Sequence, residues 1–323
     1  MKEIRWGIIG CGDVTEIKSG PAFQKAPGSR LVAVMRRNGG LAEDYARRHG
    51  VPRWYNTAQA LIEDPEVNAV YVATPPAFHK EYTLAAAAAG KAVYVEKLMA
   101  LTFAECEEMI ACCQTKNVPL YVAYYRRSLP RFLKVKEILE SGSIGEVRLV
   151  QITHYQKTSG DDFIKERQPW RVNPALSGGG YFYDLAPHTL DLLDFLLGPI
   201  ENAQGIASNQ AGWYLAEDCV TGYFSFSSGV QGNGVWCFSA FEDFEQVIIV
   251  GAKGKITFSC FQASPVTLAT ENGLQQFMID NPAHVQQPLI EDVVADLLGQ
   301  RKSPSTGING ARANWVMEKL CGR

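Results

Sequence analysis

The sequence predicts an α/β chain in two parts: an N-terminal doubly wound parallel sheet, followed by an α+β region with an open, mostly antiparallel sheet. In the first 120 residues, short apolar runs rich in β-branched residues alternate with segments of helical composition. From about Val147 onward, the predicted strands alternate apolar and polar residues, which is typical of a sheet with one solvated face. A length of 323 residues also favours two domains over one.

Five strands are predicted in the first half, each apolar almost throughout, as expected of parallel strands covered on both faces. They are Ile4–Ile9, Arg30–Met35, Ala69–Ala73, Ala92–Glu96 and Leu120–Ala123. Helices are predicted between them over Leu41–His49, Phe78–Ala89 and Phe103–Lys116. Gly50 and Gly90 follow two of these helices, at the position where a glycine commonly ends a helix.

The second half is predicted to contain five alternating strands and three helices. The strands are Arg148–Tyr155, Asp218–Ser227, Gly229–Phe238, Glu245–Gly251 and Gly254–Ser259. The helices are Tyr181–Leu197, Leu289–Leu298 and Gly310–Leu320. The change of pattern predicts a dinucleotide-fold domain at residues 1–123 and a second domain at residues 124–323, whose last helix is free to pack back on the first domain.

Composition excludes several classes of protein. With 31 basic and 34 acidic residues, the net charge of −3 argues against a nucleic-acid partner or an anionic membrane surface. No apolar run reaches the roughly 18 residues of a membrane helix, and the first run is shorter than a signal-peptide core, so a soluble, cytoplasmic protein is expected. The eight cysteines are scattered without a CxxC pair, which predicts reduced thiols and no metal site.

A glycine-rich turn follows the first predicted strand and precedes a helix, which is the context of a dinucleotide-binding fingerprint. Its residues are Gly10, Cys11, Gly12, Asp13 and Val14. Gly10 permits the tight turn, and Gly12 lets backbone amides approach a pyrophosphate. Thr15 replaces the third glycine, so a plain tight turn is the alternative. The surrounding βαβ pattern favours a Rossmann dinucleotide site.

The end of the second strand normally carries an acid that holds the ribose hydroxyls of NAD. Here the stretch Val34–Asn38 contains no Asp or Glu, but it does contain Arg36 and Arg37. Because a guanidinium offers planar, bidentate donors, we expect these side chains to bind a 2′-phosphate. The predicted cofactor is therefore NADP, with NAD as the alternative. The other interpretation of the two arginines is a solvated surface pair.

Two further stretches carry candidate catalytic side chains. Lys97 follows a strand at the carboxyl edge of the sheet, where ligands bind in doubly wound folds, and an ordinary surface lysine is the alternative. Asp184, His188 and Asp191 are spaced four and three residues apart on one predicted helix, so they share a face. Gly178–Gly180 precede them and permit close approach of a ligand, which makes His188 a candidate acid or base; a buried structural histidine is the alternative.

Three stretches together resemble the Gfo/Idh/MocA family of NAD(P)-dependent oxidoreductases: residues 7–14, 64–98 and 177–198. The resemblance runs nearly end to end. It implies a Rossmann domain followed by an open, mostly antiparallel sheet that carries the substrate. It also implies that Lys97, Asp184 and His188 are catalytic. The positions that it assigns to the cofactor side are Glu96, beside the nicotinamide, together with Thr74, Pro75, His79, Arg126, Trp170 and Arg171.

One residue departs from the family pattern, because Leu98 stands where the family has a proline after the lysine. A Lys–Pro bond adopts the cis form at modest cost, whereas a non-proline cis bond costs about 3 kcal/mol. Two alternatives follow: a trans bond with the Lys97 side chain redirected, or strain stored at the site.

The function expected from these residues is hydride transfer between a nicotinamide cofactor and a sugar, polyol or related hydroxyl or carbonyl substrate. Two alternatives are an NAD-dependent glycoside hydrolase, a class known within the family, and a non-catalytic nucleotide-binding sensor, which the fold permits. The aromatic side chains that are candidates for stacking on a sugar ring are Tyr155, Trp170, Tyr183 and Trp213.

The second half is also expected to mediate self-association. A broad sheet with helices on one face would leave apolar side chains such as Val235, Phe238 and Val247 in water on the other face. A homodimer or homotetramer through that sheet is therefore predicted.

Overall fold

The computed structural model describes residues 2–323, which form two compact units, each with its own sheet. Unit 1 contains the chain up to Leu129 together with Asn281–Ala311, and unit 2 contains Pro130–Asp280 and Arg312–Arg323. Residues 281–311, which follow the second sheet in the sequence, thus belong to unit 1.

Unit 1 is built on six parallel strands in the order β3-β2-β1-β4-β5-β6. The strands are β1 Ile4–Ile9, β2 Ser29–Met35, β3 Arg53–Tyr55, β4 Ala69–Val72, β5 Ala92–Val95 and β6 Leu120–Val122. The helices between them are α1 Asp13–Ile17, α2 Ala22–Lys25, α3 Gly39–His49, α4 Ala58–Glu63, α5 His79–Ala88 and α6 Phe103–Thr115. The strand order reverses between β1 and β4, which is the switch point where doubly wound folds bind their ligands.

Five of these six strands agree with the predicted strands to within one residue at each end. Their burial explains the agreement, since β1, β4 and β5 are buried almost throughout and must be apolar. The sequence did not predict β3, which is three residues long and partly exposed, so that it carries no apolar run. Gly50 ends α3 with φ +65°, as expected of a left-handed cap.

Unit 2 is built on eight strands in the order β14-β13-β12-β11-β7-β10-β9-β8. The strands are β7 Val147–Tyr155, β8 Ile200–Ser208, β9 Cys219–Phe226, β10 Gln231–Cys237, β11 Phe244–Gly251, β12 Gly254–Phe258, β13 Val266–Thr270 and β14 Gly273–Phe277. Only β7 and β10 pair in parallel; the remaining pairs are antiparallel. The predicted combination of a Rossmann sheet and a mostly antiparallel sheet is therefore confirmed.

The remaining helices are α7 Pro130–Glu140, α8 Pro174–Ser177, α9 Tyr181–Leu197, α10 Gln287–Leu297 and α11 Gly307–Leu320. The bounds of α9 match the predicted helix at both ends. The sequence did not predict α7, β8, β13 or β14, whose apolar periodicity is weaker. Within residues 2–323, no helix combines the length and the apolar character that crossing a membrane requires.

The side chains expected on the solvated face of the second sheet are only partly there. Phe238 is 1% exposed and Val247 is 0% exposed, so both were assigned to the wrong face. Phe238 packs on Tyr181 at the start of α9, with ring centroids 5.8 Å apart, and Val247 pairs with the buried Ile152. Val235 is half-buried and lies on the opposite face.

We call that opposite face of the sheet the open face. It carries mixed polar and apolar side chains, and the register of the strands aligns Val235 with Thr221 and Ile206. Ile206 is 75% exposed and Tyr223 is 59% exposed, so this face presents large apolar groups to solvent.

The core of unit 1 is centred on Phe23 of α2. Its ring lies 4.9 Å from Trp6, 5.1 Å from Tyr71 and 6.3 Å from Tyr94 between centroids, and all four side chains are buried. These aromatic pairs join β1, β4 and β5 to the helix that covers them.

Replacing Phe23 with Ala is expected to destabilise unit 1 by about 3–5 kcal/mol, because it removes a fully buried ring and leaves a cavity. Chemical denaturation measures the change. The matched control is Phe241→Ala, since Phe241 is 94% exposed and its loss should change stability by less than about 0.5 kcal/mol. Equal effects of the two substitutions would contradict this description of the core.

Candidate active site

The glycine-rich turn lies at the carboxyl end of β1, at the switch point. Gly10 has φ +93°, and a Cβ atom there would stand 2.9 Å from the Ala73 carbonyl oxygen, so glycine is required. The backbone N–H groups of Gly10 and Cys11 both donate to the Met35 carbonyl at the end of β2, at 2.9 and 3.1 Å. Thr15, which replaces the third fingerprint glycine, donates its hydroxyl to the Gly12 carbonyl at 2.7 Å. The departure from the motif therefore reinforces the turn.

The turn fits a dinucleotide. A Cβ added at Gly12 would meet nothing closer than the Gly10 carbonyl at 3.9 Å, so packing against the protein does not require this glycine. The space beside its backbone is open, as a closely approaching pyrophosphate needs. Asp13 and Val14 begin α1 directly after it. Cys11 is fully buried, and burial raises the pKa of its thiol to about 11, so the thiol adds no negative charge near neutral pH.

Arg36 and Arg37 follow β2, and both are exposed. The Arg36 backbone N–H donates to the Tyr55 carbonyl at the end of β3, at 3.2 Å. The Arg37 guanidinium carbon lies 5.5 Å from the centroid of the Phe78 ring, which follows β4. This cation–π contact places Arg37 beside the segment that contains Thr74 and Pro75.

His79 is completely buried and joins the ends of two strands. Its Nδ1 lies 2.8 Å from the Leu98 carbonyl oxygen, and its Nε2 lies 2.7 Å from the Thr74 carbonyl oxygen. Burial lowers the pKa of this histidine, so the neutral ring donates to only one of the two oxygens at a time. Both ring nitrogens therefore face backbone, and His79 fixes the segments after β4 and β5. The hydroxyl of Thr74 is buried without a hydrogen-bond partner among residues 2–323.

Glu96 follows β5, and its carboxylate is 7% exposed. Oε1 accepts a hydrogen bond from the Tyr71 hydroxyl at 2.6 Å, and Oε2 accepts from the backbone N–H of Lys97 at 3.1 Å. The Lys97–Leu98 peptide bond is cis, so the alternative of a trans bond is wrong. Arg126 follows β6; it is buried, with its guanidinium 5.0 Å from the Tyr125 ring.

The predicted positions of unit 1 all follow carboxyl ends of parallel strands. Because these ends meet at one edge of the sheet, the structure brings the fingerprint turn, Arg36, Thr74, Glu96 and Arg126 to a common edge.

In unit 2, Gly179 and Gly180 before α9 pack closely against the protein. A Cβ at Gly179 would collide with the Tyr183 ring and the Glu217 carboxylate, and one at Gly180 would stand 2.7 Å from the Glu217 carbonyl. The Gly180 backbone N–H donates to Glu217 Oε1 at 3.1 Å. Arg323 completes the cluster by donating to the Gly178 carbonyl at 2.9 Å and lying 3.4 Å from Glu217 Oε2. Packing against Tyr183 and Glu217 therefore accounts for Gly179 and Gly180, and the approach of a ligand to this segment stays a prediction.

Three residues of α9 lie on one face, as their spacing predicted. His188 and Asp191 are buried, and Asp184 is partly buried. The His188 ring meets Phe261 edge-on, with centroids 5.9 Å apart. Phe261 also lies 5.0 Å from His154 of β7, so one aromatic side chain separates two histidines.

Asp184 has an ionic partner. Nε of Arg171 donates to Oδ2 of Asp184 at 3.0 Å, and the Arg171 guanidinium lies 4.8 Å from the Trp170 ring. The Trp170–Arg171 pair and the predicted catalytic Asp184 are thus brought together within unit 2. The partly exposed guanidinium orients the carboxylate, since an Arg–carboxylate hydrogen bond is directional.

The four candidate sugar-stacking aromatics have different surroundings. Tyr183 is buried under the Arg323 guanidinium, 5.1 Å away, so it belongs to the core of unit 2. Trp213 meets Phe163 edge-on at 4.7 Å, and Tyr155 lies 6.2 Å from Phe244. Trp170 contacts the Arg171 guanidinium, which in turn donates to the predicted catalytic Asp184.

Sequence reasoning missed Glu217, Arg323 and Phe261. Glu217 follows the segment of Trp213 and Tyr214 without a motif, and its partners are 37 and 106 residues away. One signal was available for Glu217: three consecutive glycines before a helix imply that something approaches that backbone closely.

Two family descriptions match most of the chain. Residues 4–124 match the family described as "Oxidoreductase family, NAD-binding Rossmann fold", and residues 132–257 match the "GFO/IDH/MocA C-terminal domain". An oxidoreductase from Formosa agariphila is 42% identical over 321 residues, which are 99% of this chain and 98% of that protein.

More distant relatives have named substrates or ligands. The 1,5-anhydro-D-fructose reductase of Ensifer adhaerens is 28% identical over 316 residues, covering 95% of this chain and 92% of that protein. The crystal structure of an aldose-aldose oxidoreductase from Caulobacter crescentus, complexed with glycerol, superimposes with a TM-score of 0.86 at 27% identity, covering 98% of this chain and 96% of that chain. The strand order, the fingerprint turn and these similarities agree, and the chain belongs to the Gfo/Idh/MocA family of oxidoreductases, with an NAD-binding Rossmann domain.

Proposed function

We propose that this enzyme transfers a hydride between a nicotinamide dinucleotide and a CH–OH group of a sugar, a polyol or a related substrate. The observation that carries the proposal is the chemistry of α9, where a buried His188 shares a face with an Asp184 that Arg171 orients. The sugar class is supported by the reductase from Ensifer adhaerens and the aldose-aldose oxidoreductase from Caulobacter crescentus, which act on sugars by their names.

Unit 1 would hold the dinucleotide at the edge described above. Because the N–H groups of Gly10 and Cys11 already donate to Met35, the N–H groups of Gly12, Asp13 and Val14 at the start of α1 would face the pyrophosphate. Thr74 and Pro75 would border it after β4. When bound, the nicotinamide ring supplies the hydride acceptor or donor. Glu96 would lie beside that ring, and the hydrogen bond that it accepts from the Lys97 N–H keeps the backbone there in place.

Three side chains would transfer the proton, stabilise the developing charge and orient the substrate. His188 takes the hydroxyl proton when the substrate is oxidised and returns it when the carbonyl is reduced. Lys97 stabilises the negative charge that develops on the substrate oxygen. Stabilisation of such a charge by preorganised groups is usually the largest single contribution to lowering the activation barrier. Asp184, held by Arg171, would orient the substrate for the proton transfer by His188.

Replacing His188 with Asn is expected to lower turnover by roughly 100- to 10,000-fold, because the amide keeps a polar, hydrogen-bonding side chain but cannot take a proton at neutral pH. Folding and dinucleotide binding should be retained. The matched control is His49→Asn at the end of α3, where the partly buried imidazole lies 2.8 Å from Glu16; turnover of this variant should stay within about twofold of the wild type.

Lys97→Ala should lower turnover by a similar factor. The double variant with His188→Asn should lose less turnover than the product of the two single losses, because the residues act as a unit. Steady-state kinetics with a sugar panel measures all three. Near-full turnover in Lys97→Ala would remove lysine from the assignment.

NADP is the cofactor that we propose this enzyme prefers. Arg36 and Arg37 are exposed at the end of β2, and the stretch Ser29–Asn38 contains no acidic residue to hold the ribose hydroxyls of NAD. The contact between Arg37 and Phe78 supports the proposal, because it holds the guanidinium beside the segment that follows β4.

Arg37→Ala should weaken NADPH binding by about 1–3 kcal/mol, the range for a charge-assisted hydrogen bond, while NADH binding stays nearly unchanged. Titration of both cofactors by fluorescence gives the two affinities. Arg47→Ala is the control, because Arg47 is an exposed arginine of α3 paired with Asp44. Equal losses for NADPH and NADH would contradict the 2′-phosphate assignment.

The open face is proposed to join copies of the chain into a homodimer or homotetramer. Ile206, Tyr223 and Leu274 present large apolar groups there, and a closed assembly would remove them from water.

The absence of any disulfide among the cysteines of residues 2–323 fits a reducing compartment, which supports the expected cytoplasmic location.

Sedimentation at micromolar concentration should give a mass at least twice the 35.6 kDa of one chain. The double variant Ile206→Glu/Tyr223→Glu should sediment as a monomer, because it buries two carboxylates in the interface. Ile308→Glu, at an exposed position of α11 in unit 1, should leave the assembly unchanged. A monomeric wild type would contradict the proposal.

A further inference from the structure

Gln286 lies 190 residues after Glu96 in the sequence, yet the two side chains touch inside unit 1. The Gln286 Nε2 amide donates to Glu96 Oε1 at 2.6 Å, and the Gln286 Oε1 accepts from the Tyr94 hydroxyl at 3.2 Å. The side chain is 1% exposed. A buried amide with both ends in use is held in one orientation.

The backbone of Gln286 makes a second connection. Its N–H donates to the Lys18 carbonyl at 3.1 Å, directly after α1, and its carbonyl accepts from Ile290 at the start of α10. Gln286 therefore joins the helix of the fingerprint turn to the carboxylate that follows β5.

Three donors converge on the Glu96 carboxylate. The hydroxyl of Tyr71 and the amide of Gln286 both reach Oε1, and the backbone N–H of Lys97 reaches Oε2. The carboxylate can swing only if these bonds break, and when it swings it releases the Lys97 backbone. We infer that Gln286 is a positioning residue: by fixing Glu96 it fixes the backbone of Lys97 for the hydride-transfer step.

This inference rests on the proposed function for its kinetic effect, but the contact itself gives an independent readout. Exchange of the Lys97 backbone amide with deuterium reports how firmly Glu96 Oε2 holds it. That measurement needs neither cofactor nor substrate.

The central variant is Gln286→Met, which keeps the length of the side chain and removes both polar ends. Turnover should fall by roughly 10- to 100-fold with little change in KM, the cost of misplacing a catalytic group by about an ångström. Amide exchange at Lys97 should accelerate in the same variant. The matched control is Gln287→Met, one residue later, whose amide donates to Glu291 along α10 at 2.8 Å.

A second variant, Gln286→Glu, separates positioning from mere packing. A protonated carboxyl donates one hydrogen bond and accepts another, as the amide does here, whereas two ionised carboxylates in contact repel. Turnover of Gln286→Glu should therefore approach that of the wild type near pH 6 and fall as the pH rises to 8.5. Gln286→Met should stay slow throughout.

Between pH 6 and 8.5, the neighbouring tyrosines and His79 keep one protonation state over most of the range. Burial and the neighbouring Glu96 raise the pKa of Tyr71 and Tyr94 well above 10, so both keep their protons. Burial lowers the pKa of His79 below its usual 6.5, so it is neutral over most of the range. Two lysines join this network through their backbones, since the Lys18 carbonyl accepts from Gln286 and the Lys97 N–H donates to Glu96. Tyr125 also raises the pKa of Tyr94.

If Gln286→Met fails to fold, Tyr71→Phe removes the other donor to Oε1 and should change Lys97 exchange and turnover in the same direction. The inference is overturned if Lys97 exchanges equally fast in the wild type and in these variants, or if Gln286→Glu shows the pH profile of Gln287→Met. A wild type that turns over no sugar would refute the proposed function alone, because the exchange experiment would still decide the role of Gln286.

Discussion

Parallel strand pairing is the constraint on which the chemistry of unit 1 depends. It brings the carboxyl ends of all six strands to one edge, so that residues far apart in the sequence become neighbours without any local motif joining them. Gly10 after β1 contacts the end of β2 through Met35 and the end of β4 through Ala73. The fingerprint turn is thus a product of the sheet as well as of its glycines.

Buried carboxylates then fix the backbone beside the proposed catalytic residues in both units. Glu96 accepts from the N–H of Lys97, and Glu217 accepts from the N–H of Gly180 at the start of the helix that contains His188. Each carboxylate is held by a second donor from a distant segment, Gln286 in one unit and Arg323 in the other. Charge-assisted bonds of this kind are stronger than neutral ones, and they stiffen the backbone that they reach.

The sequence was informative wherever one strong local pattern decided the structure. Buried strands such as β1 and β4 must be apolar, and α9 is an apolar helix flanked by Gly180 and Gly198, so these elements could be predicted. Features with a weak local pattern, or with partners far away in the sequence, could not be predicted. β3 has three partly exposed residues, the face of Phe238 depends on packing against α9, and no pattern links Gln286 to Glu96 across 190 residues. The motifs therefore predicted site residues next to glycines and strand ends. They did not predict Gln286 and Glu217, whose side chains hold those segments in place.

The most direct measurement of the central claim is isotope transfer. A sugar deuterated at its reacting CH–OH carbon is incubated with the enzyme and oxidised dinucleotide, and the reduced cofactor is analysed by mass spectrometry and NMR. Direct hydride transfer predicts one deuterium per reduced nicotinamide, located at C4, with the label lost from the sugar in equal amount. Dinucleotide that binds stoichiometrically but gains no deuterium from any sugar or polyol tested would contradict the account.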